Sequence, residues 1–207
     1  MGHDKLAWPL AGVPVLRRAL DALLAAEAVT AVVVVCPAAR WRLLEGAVFS
    51  KPVTRVDGGA TRQESVACGL AAVDSNTQWV AVHDAARPLV AADDIARCVA
   101  AAVAHGAAAL ARRATETLQR ADAEDFSAGL VDRDHLWCME TPQVFATALL
   151  REACAAAAAS GLLATDEVSA VQALGARVKF VTPHHPNLKI TTPADLALAT
   201  ALLHSTP

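Results

Sequence analysis

The sequence of 207 residues contains no tyrosine, and its aromatic residues amount to only 4%. Its formal charge is −3, and it has neither a basic stripe nor interleaved aromatic residues, which polymeric nucleic acids require of their partners. It also lacks an apolar run of the roughly 20 residues that a membrane-spanning helix needs, and its first residues carry no signal-peptide core. Nucleic-acid polymers and membranes are therefore not expected partners.

The cysteines lack the spacing of a disulfide framework or a CxxC site. Their number is odd, and they are scattered as Cys36, Cys68, Cys98, Cys138 and Cys154. Such a pattern is typical of buried apolar thiols in a reducing compartment. We therefore expect a cytoplasmic protein.

Hydrophobic residues make up 55% of the chain, mostly as alanine and valine, which excludes a disordered protein and favours one globular domain. Continuous β-branched runs predict strands that are buried on both faces, as in a parallel sheet. Strands are expected at 30–36, 52–56, 78–84, 106–111 and 177–181, and helices at 14–27, 61–73, 92–104, 145–160 and 193–203. This alternation predicts an α/β fold with a mostly parallel sheet and helices on both faces. The polar stretch from about Arg113 to Glu140 interrupts the alternation and is interpreted as an excursion.

Ligands of such sheets bind beyond the carboxyl ends of the strands, which directs attention to two loops. In the first, Gly58 and Gly59 precede Thr61 and Glu64, a capping-box pattern. Free amides at a glycine turn beside a helix N-terminus can bind anionic or hydrogen-bonding ligands. Taken alone, this segment is better explained by an ordinary strand-to-helix turn.

At the second loop, the end of the strand at 78–84 and the residues after it carry His83, Asp84 and Arg87. A carboxylate at a strand end can hold Mg²⁺, and an arginine can grip a phosphate through its planar fork. The alternative is an exposed Asp–Arg pair, with His83 as a packing residue.

Two later segments carry weaker signals. Lys189 precedes a helix that Thr192 can cap, so it can neutralise a phosphate or simply lie at the surface. Asp166 and Glu167 follow Thr165, the predicted N-cap, so a capping role is favoured over catalysis. Thr117, Arg120 and Arg133 in the excursion are interpreted as surface residues.

Together these motifs resemble a known family. VDGGATRQESVACGL, VHDAARPLV, VDRDHLWCMETPQVF, ATDEVSAVQALG and PNLKITTPADLALA occur in the order seen in 2-C-methyl-D-erythritol 4-phosphate cytidylyltransferases. The resemblance implies a Rossmann-like nucleotidyltransferase fold with a projecting β-arm, a homodimer, CTP as a substrate and Mg²⁺. The implied reaction is attack of the methylerythritol phosphate on the α-phosphorus of CTP, with release of pyrophosphate.

The resemblance also implies residue roles. Lys5 and Lys189 would be catalytic, and Asp84 would meet the metal and both substrates. Gly58, Gly59, Ser65 and Ala85 would bind the nucleotide, and Arg87, Thr117, Arg133 and Lys189 the methylerythritol phosphate. Thr117 and Arg133 would lie on a dimerisation arm of about 113–140 and reach the partner subunit's site.

The chain departs from the family pattern at three places. Asp4-Lys5-Leu6 replaces a proline-lysine-glutamine motif, and Gln119 stands where a lysine is common. The resemblance begins only after the family's first strand and glycine-rich loop, roughly twenty residues. We expect a start codon upstream of Met1 rather than a genuine truncation.

Three other readings stay open at this stage. A cytidylyltransferase acting on ribitol 5-phosphate shares the same motifs, and a non-catalytic dimeric homologue would fit a genuine truncation. DKLAWPLAGVPVL also resembles the start of molybdopterin-type nucleotidyltransferases, although the remainder does not.

Overall fold

The computed structural model describes residues 4–162 and 164–205. The helices are α1 (Val15–Ala25), α2 (Ala38–Trp41), α3 (Arg62–Ala71), α4 (Ala92–His105), α5 (Thr147–Ser160), α6 (Glu167–Ala173) and α7 (Pro193–Ser205). The strands are β1 (Pro9–Leu10), β2 (Val13–Pro14), β3 (Val32–Val35), β4 (Val53–Val56), β5 (Trp79–Val82), β6 (Ala107–Arg113), β7 (Leu118–Ala121), β8 (Ser127–Val131), β9 (Trp137–Ala146) and β10 (Lys179–Val181). No helix within these residues is long and apolar enough to cross a membrane.

The main sheet is mixed, which corrects in part the expected parallel sheet. Its strand order is β10-β6-β9-β5, with β10 parallel to β6 and β9 antiparallel to both of its neighbours. Strands β3 and β4 pair in parallel as a separate two-stranded sheet. Since β5 and β6 are both antiparallel to β9, strands β5, β6 and β10 run in the same direction.

The sequence did not predict β9, the longest strand, because its pattern argues against one. It contains Pro142, which cannot donate to a ladder, and the buried polar residues Glu140 and Gln143. The pairing with β6 shifts register between Ala109 and Ala111, so the segment around Pro142 lies in an irregularity of the ladder.

Helices cover both faces of the main sheet, as predicted. Ala107 and Ala109 of β6 pack with α5 and α6 in one core cluster, whereas Ala108 and Leu110 pack with α4 in another. Alternate residues of a strand point to opposite faces, so β6 is buried on both.

A cavity of about 620 Å³ separates the two sheets. Strands β3 and β5 line it from opposite sides, together with residues of α1 and α3. Val33, Val80 and Val82 are consequently only half-buried, and Ala81 is exposed. The sequence predicted that these runs would be buried on both faces, and the cavity explains the difference.

The excursion forms a hairpin, as the resemblance implied. Strands β7 and β8 pair antiparallel in a sheet of their own, between β6 and β9 in the chain. Phe126 and Leu130 of this hairpin are 67% and 71% exposed. The arm therefore presents apolar side chains that this protomer does not cover.

Candidate active site

The loops that follow β5 and β10 meet at the end of the main sheet where both strands have their carboxyl ends. Because these strands run in the same direction, their carboxyl ends lie together, as in other α/β sheets with ligand sites. A main-chain hydrogen bond of 2.8 Å from Ile190 N to Ala86 O ties the two loops. This tie brings Lys189 beside Asp84.

Asp84 is the centre of a cationic cluster. One carboxylate oxygen lies 2.7 Å from Lys189 Nζ, and the other lies 3.5 Å from an Arg62 Nη. Burial raises the pKa of Asp84, but the hydrogen bond and charge of Lys189, with Arg62, outweigh this and hold that pKa below its usual range. Asp84 is therefore an anion, and its side chain is still 17% exposed.

A directional chain of hydrogen bonds fixes the loop that carries Asp84. The Asp84 amide donates to Thr141 Oγ1 at 3.0 Å, and Thr141 Oγ1 lies 3.0 Å from His83 Nδ1. His83 Nε2 lies 3.1 Å from the Arg87 carbonyl, which can only accept, so Nε2 carries the proton and Nδ1 accepts from Thr141. Burial lowers the pKa of His83 to about 4, so the ring is neutral at pH 7. His83 is thus a structural residue, in agreement with the packing role favoured by sequence.

Arg62 joins this site to α6. Its two Nη atoms bind the two Glu167 oxygens at 2.6 and 2.8 Å, a bidentate pair, and the Glu167 side chain is 5% exposed. Burial lowers the pKa of Arg62, but Glu167 and Asp84 raise it above its ordinary value. Glu167 lies in the first turn of α6, as the sequence predicted, and its carboxylate in addition binds Arg62. The N-cap of α6 is Asp166, which accepts from Ser169 N at 2.9 Å, and not the predicted Thr165.

One signal could have revealed Arg62. It is the first residue of α3, where the positive end of the helix dipole disfavours a cation. An arginine at that position indicates a nearby anionic partner, although the sequence does not say which one.

The glycine loop packs closely against the first turn of α3. Thr61 caps the helix as predicted, with Glu64 N donating to its Oγ1 at 3.1 Å. The Glu64 carboxylate accepts from Ala60 N at 2.7 Å, and Ser65 Oγ accepts from Gly59 N at 3.2 Å. A Cβ at Gly59 would lie 2.3 Å from Glu64 Cβ, so this close approach requires glycine.

Arg87 lies deeper than the sequence suggested. Its Nη atoms donate to the main-chain carbonyls of Asn187 at 2.7 Å and Met139 at 3.2 Å, and the residue is buried. Its Nε is buried with no hydrogen-bond partner among the described residues. Burial raises the pKa of the neighbouring Glu140, and the charge of Arg87 opposes that rise. Asn187 also donates to Glu140 at 3.0 Å, so this network supports the Lys189 loop.

The remaining predicted residues lie around this cluster or on the arm. Lys5 lies in a turn beside Leu6, and Leu6 packs in one core cluster with Cys36 and Ala85. Thr117 is exposed at the base of the hairpin, and Arg133 donates to the Thr115 carbonyl within the arm itself. Within this protomer Lys5 therefore lies in the turn before β1, and Thr117 and Arg133 lie in the arm.

Asp84 offers carboxylate oxygens, which are the ligand atoms that Mg²⁺ prefers. This ion usually binds one or two carboxylates and completes its shell with water and phosphate oxygens. Among the described residues, the cluster with three metal-ligating groups is instead Asp93, Asp94 and His184. Both Asp94 oxygens already accept from the main-chain amides of His184 and His185, at 2.8 and 3.1 Å. In that cluster, Asp94 therefore holds the loop of His184 and His185 in place.

Comparisons with known proteins decide the family. The model of the family IspD: 2-C-methyl-D-erythritol 4-phosphate cytidylyltransferase matches residues 1–205. The chain belongs to this family. A cytidylyltransferase of this name from Prochlorococcus marinus (strain MIT 9313) is 42% identical over 98% of this chain and 92% of its own length.

Solved structures of the family agree in fold. The 2-C-methyl-D-erythritol 4-phosphate cytidylyltransferase from Thermus thermophilus has 38% identity and a TM-score of 0.82, covering 98% of this chain and 95% of its own. The 4-diphosphocytidyl-2C-methyl-D-erythritol synthase from Anaerococcus prevotii has 25% identity and a TM-score of 0.86, covering 96% and 93%. These matches confirm the nucleotidyltransferase fold and select the methylerythritol phosphate family over ribitol phosphate enzymes and molybdopterin-type transferases.

Proposed function

We propose that this cytidylyltransferase joins CTP to 2-C-methyl-D-erythritol 4-phosphate through the Asp84 cluster, in isoprenoid biosynthesis. An oxygen of the substrate phosphate attacks the α-phosphorus of CTP, and the bond to the β-phosphate oxygen breaks, which releases pyrophosphate. Both reactants are anions, so positive charge and positioning must supply most of the rate. The observation that carries the proposal is the contact of 2.7 Å between Asp84 and Lys189 at the carboxyl ends of the strands.

Lys189 and Lys5 supply the positive charge. The Lys189 side chain is 42% exposed, so its ammonium can exchange Asp84 for a phosphoryl oxygen as charge develops. The role of Lys5 follows from the family resemblance, and its neighbour Leu6 packs in the same core cluster as Ala85. Gly58, Gly59 and Ser65 would bind the cytosine, since their main-chain and hydroxyl groups lie at one turn.

Asp84 is the residue that would hold Mg²⁺. When bound, the ion would neutralise charge on the triphosphate. Asp84 without further carboxylates fits an ion that arrives with the nucleotide, because phosphate oxygens then complete its shell. Arg62 and Lys189 hold the carboxylate in place for that purpose.

The arm and the dimer also belong to the proposal. The exposed Phe126 and Leu130 favour burial against a second copy of the chain. Thr117 and Arg133 would then contact the methylerythritol phosphate in the partner subunit's site. Arg87 would contribute positive charge to the binding of that phosphate from its buried position. The five free thiols support a reducing, cytoplasmic location.

Pyrophosphate release from CTP, with and without Mg²⁺, tests this function. We expect turnover with methylerythritol phosphate and little with ribitol phosphate. Lys189→Met and Asp84→Asn should each lower kcat by roughly 100-fold or more. Lys179→Met is the matched control, because Lys179 lies at the amino end of β10, away from the loop of Lys189. Equal losses in the control, or near-normal turnover in Asp84→Asn, would refute the assignment.

Arg133→Ala tests the arm separately. It should raise KM for methylerythritol phosphate far more than KM for CTP. An equal rise in both values would show that the arm does not reach the second substrate.

A further inference from the structure

Arg112 is a further cation at the carboxyl ends of the strands in the main sheet. It lies near the end of β6, which runs in the same direction as β5 and β10. In the sheet, β6 lies between β10, which leads to Lys189, and β9, which carries Thr141. Arg112 is therefore at the same end of the sheet as Asp84 and Lys189, where ligands of such folds bind.

The protein holds the guanidinium of Arg112 only loosely. Its Nε lies 3.8 Å from a Glu140 oxygen, and one Nη lies 4.0 Å from a Glu116 oxygen. Both distances exceed those of a hydrogen bond, and Arg112 donates none to the residues that the structure describes. Glu116 is itself 66% exposed and accepts from the hydroxyl of Thr115 at 3.1 Å. The Arg112 side chain is 49% exposed, so its N–H donors are available to a ligand.

The charges around Arg112 leave an excess of positive charge. Glu140 is the buried carboxylate nearest to it, with a side chain that is 8% exposed. Burial lowers the pKa of Arg87, Glu140 opposes this, and the like charge of Arg112 lowers that pKa further. Two cations therefore share one buried carboxylate, whereas Lys189 and Asp84 pair with each other. Such an arrangement attracts an anion.

The strand order favours the second substrate over the nucleoside as the source of this anion. Arg112 lies on β6, two strands away from β5. The turn of Gly58 and Gly59, which would bind cytosine, follows β4, in the sheet on the other side of β5. Asp84 follows β5 and so lies between the two. A ligand group on the Arg112 side of Asp84 would belong to the methylerythritol phosphate.

We propose that Arg112 binds the phosphate of this second substrate and sets the affinity for it. A phosphate monoester has three terminal oxygens. One attacks CTP in the proposed reaction, so two remain for the planar fork of an arginine. Arg112 would act within the subunit that holds Asp84, unlike Arg133 of the arm. The inference rests on the proposed function and adds a residue to its site.

Steady-state kinetics of Arg112→Gln tests this role. KM for methylerythritol phosphate should rise about tenfold or more, while KM for CTP and kcat stay within about threefold. Arg112→Lys keeps the charge without the fork, so its KM should lie between those of the wild type and Arg112→Gln.

Arg113→Gln is the matched control, because it removes the same charge from the next residue of β6. The Arg113 guanidinium instead lies 5.0 Å from the centroid of the Trp137 ring, so this variant should keep the wild-type KM for methylerythritol phosphate. The urea midpoint of Arg112→Gln should equal that of the wild type, since its contacts with the carboxylates are long.

Calorimetric titration with methylerythritol phosphate, with CTP present and Mg²⁺ removed, separates this inference from the proposed function. A wild type that binds the phosphate ester but releases no pyrophosphate in the Mg²⁺ assay would refute that function. Binding about tenfold weaker in Arg112→Gln would still support the inference. Equal binding by the two proteins, no binding by the wild type, an equal rise in both KM values, or the same loss in Arg113→Gln would overturn it.

Discussion

The ion pair between Arg62 and Glu167 predicts energetic coupling between residues that are 105 positions apart. Arg62→Met removes the cation but keeps an unbranched side chain. It leaves the Glu167 carboxylate, 5% exposed, without the two hydrogen bonds that offset its burial. Glu167→Gln removes the charge from the other side.

The structure sets the size of this effect. Removing one partner of a fully buried pair costs about 3–5 kcal/mol of the free energy of unfolding. The Arg62 side chain is 39% exposed, so solvent screening reduces this to about 2 kcal/mol. For a chain of this length that loss lowers Tm by about 4–8 °C. Glu167→Gln in the Arg62→Met background should recover about 1 kcal/mol, because no buried charge remains.

Urea unfolding of the four proteins in a double-mutant cycle measures the coupling. The matched control is the helical pair Arg17–Asp21, with side chains 29% and 47% exposed, for which we expect about 0.3–0.5 kcal/mol. If the coupling of Arg62 and Glu167 does not exceed that of the control pair, the reasoning that this pair anchors the site is wrong.

Three further predictions concern other parts of the molecule. Burial lowers the pKa of His83 to about 4, so its neutral ring contributes fully to the free energy of unfolding above about pH 6.5. That contribution falls as the pH drops toward 4, by up to about 3 kcal/mol. In His83→Gln, the free energy of unfolding measured in urea should depend less on pH across that range. Gly59→Ala would force a contact of 2.3 Å with Glu64 Cβ and displace the glycine loop, so KM for CTP should rise about tenfold or more in steady-state kinetics. Phe126→Asp should weaken the proposed dimer by about tenfold or more in sedimentation equilibrium, and an unchanged association constant would exclude this face of the arm.

Much of the fold was predictable because local patterns and tertiary environment agree. The β-branched run of β3 and the helical spacing of α1 lie within a few residues of their predicted positions. Strand β9 was not predictable, because Pro142 and its polar neighbours are tolerated only through a ladder irregularity and buried hydrogen bonds. Gln143, for example, accepts from the amides of Glu167 and Val168 at 3.1 Å, a contact that no local pattern reveals.

The candidate site shows the same division. Asp84 could be proposed because it ends a predicted strand, where ligands of such folds bind, whereas the role of Lys189 came from the family resemblance. Their distance could not be predicted, since it depends on the main-chain bond between Ile190 and Ala86. The role of Thr141 was also hidden, because its hydroxyl acts on Asp84 and His83 from a strand that the sequence did not predict.

On the proposed function, the bond between Ile190 and Ala86 also sets the order in which the molecule can become active. Lys189 is synthesised 105 residues after Asp84, the difference between 189 and 84. A nascent chain can form the glycine turn early, because its hydrogen bonds are local, and β5 with its loop once β9 has been made, because β5 pairs with β9 and Asp84 N donates to Thr141. It still lacks the Lys189 cation at Asp84 until the segment around Lys189 has left the ribosome and docked. Chains arrested before that point would fold much of the sheet but would remain catalytically silent, so translation itself delays the appearance of activity.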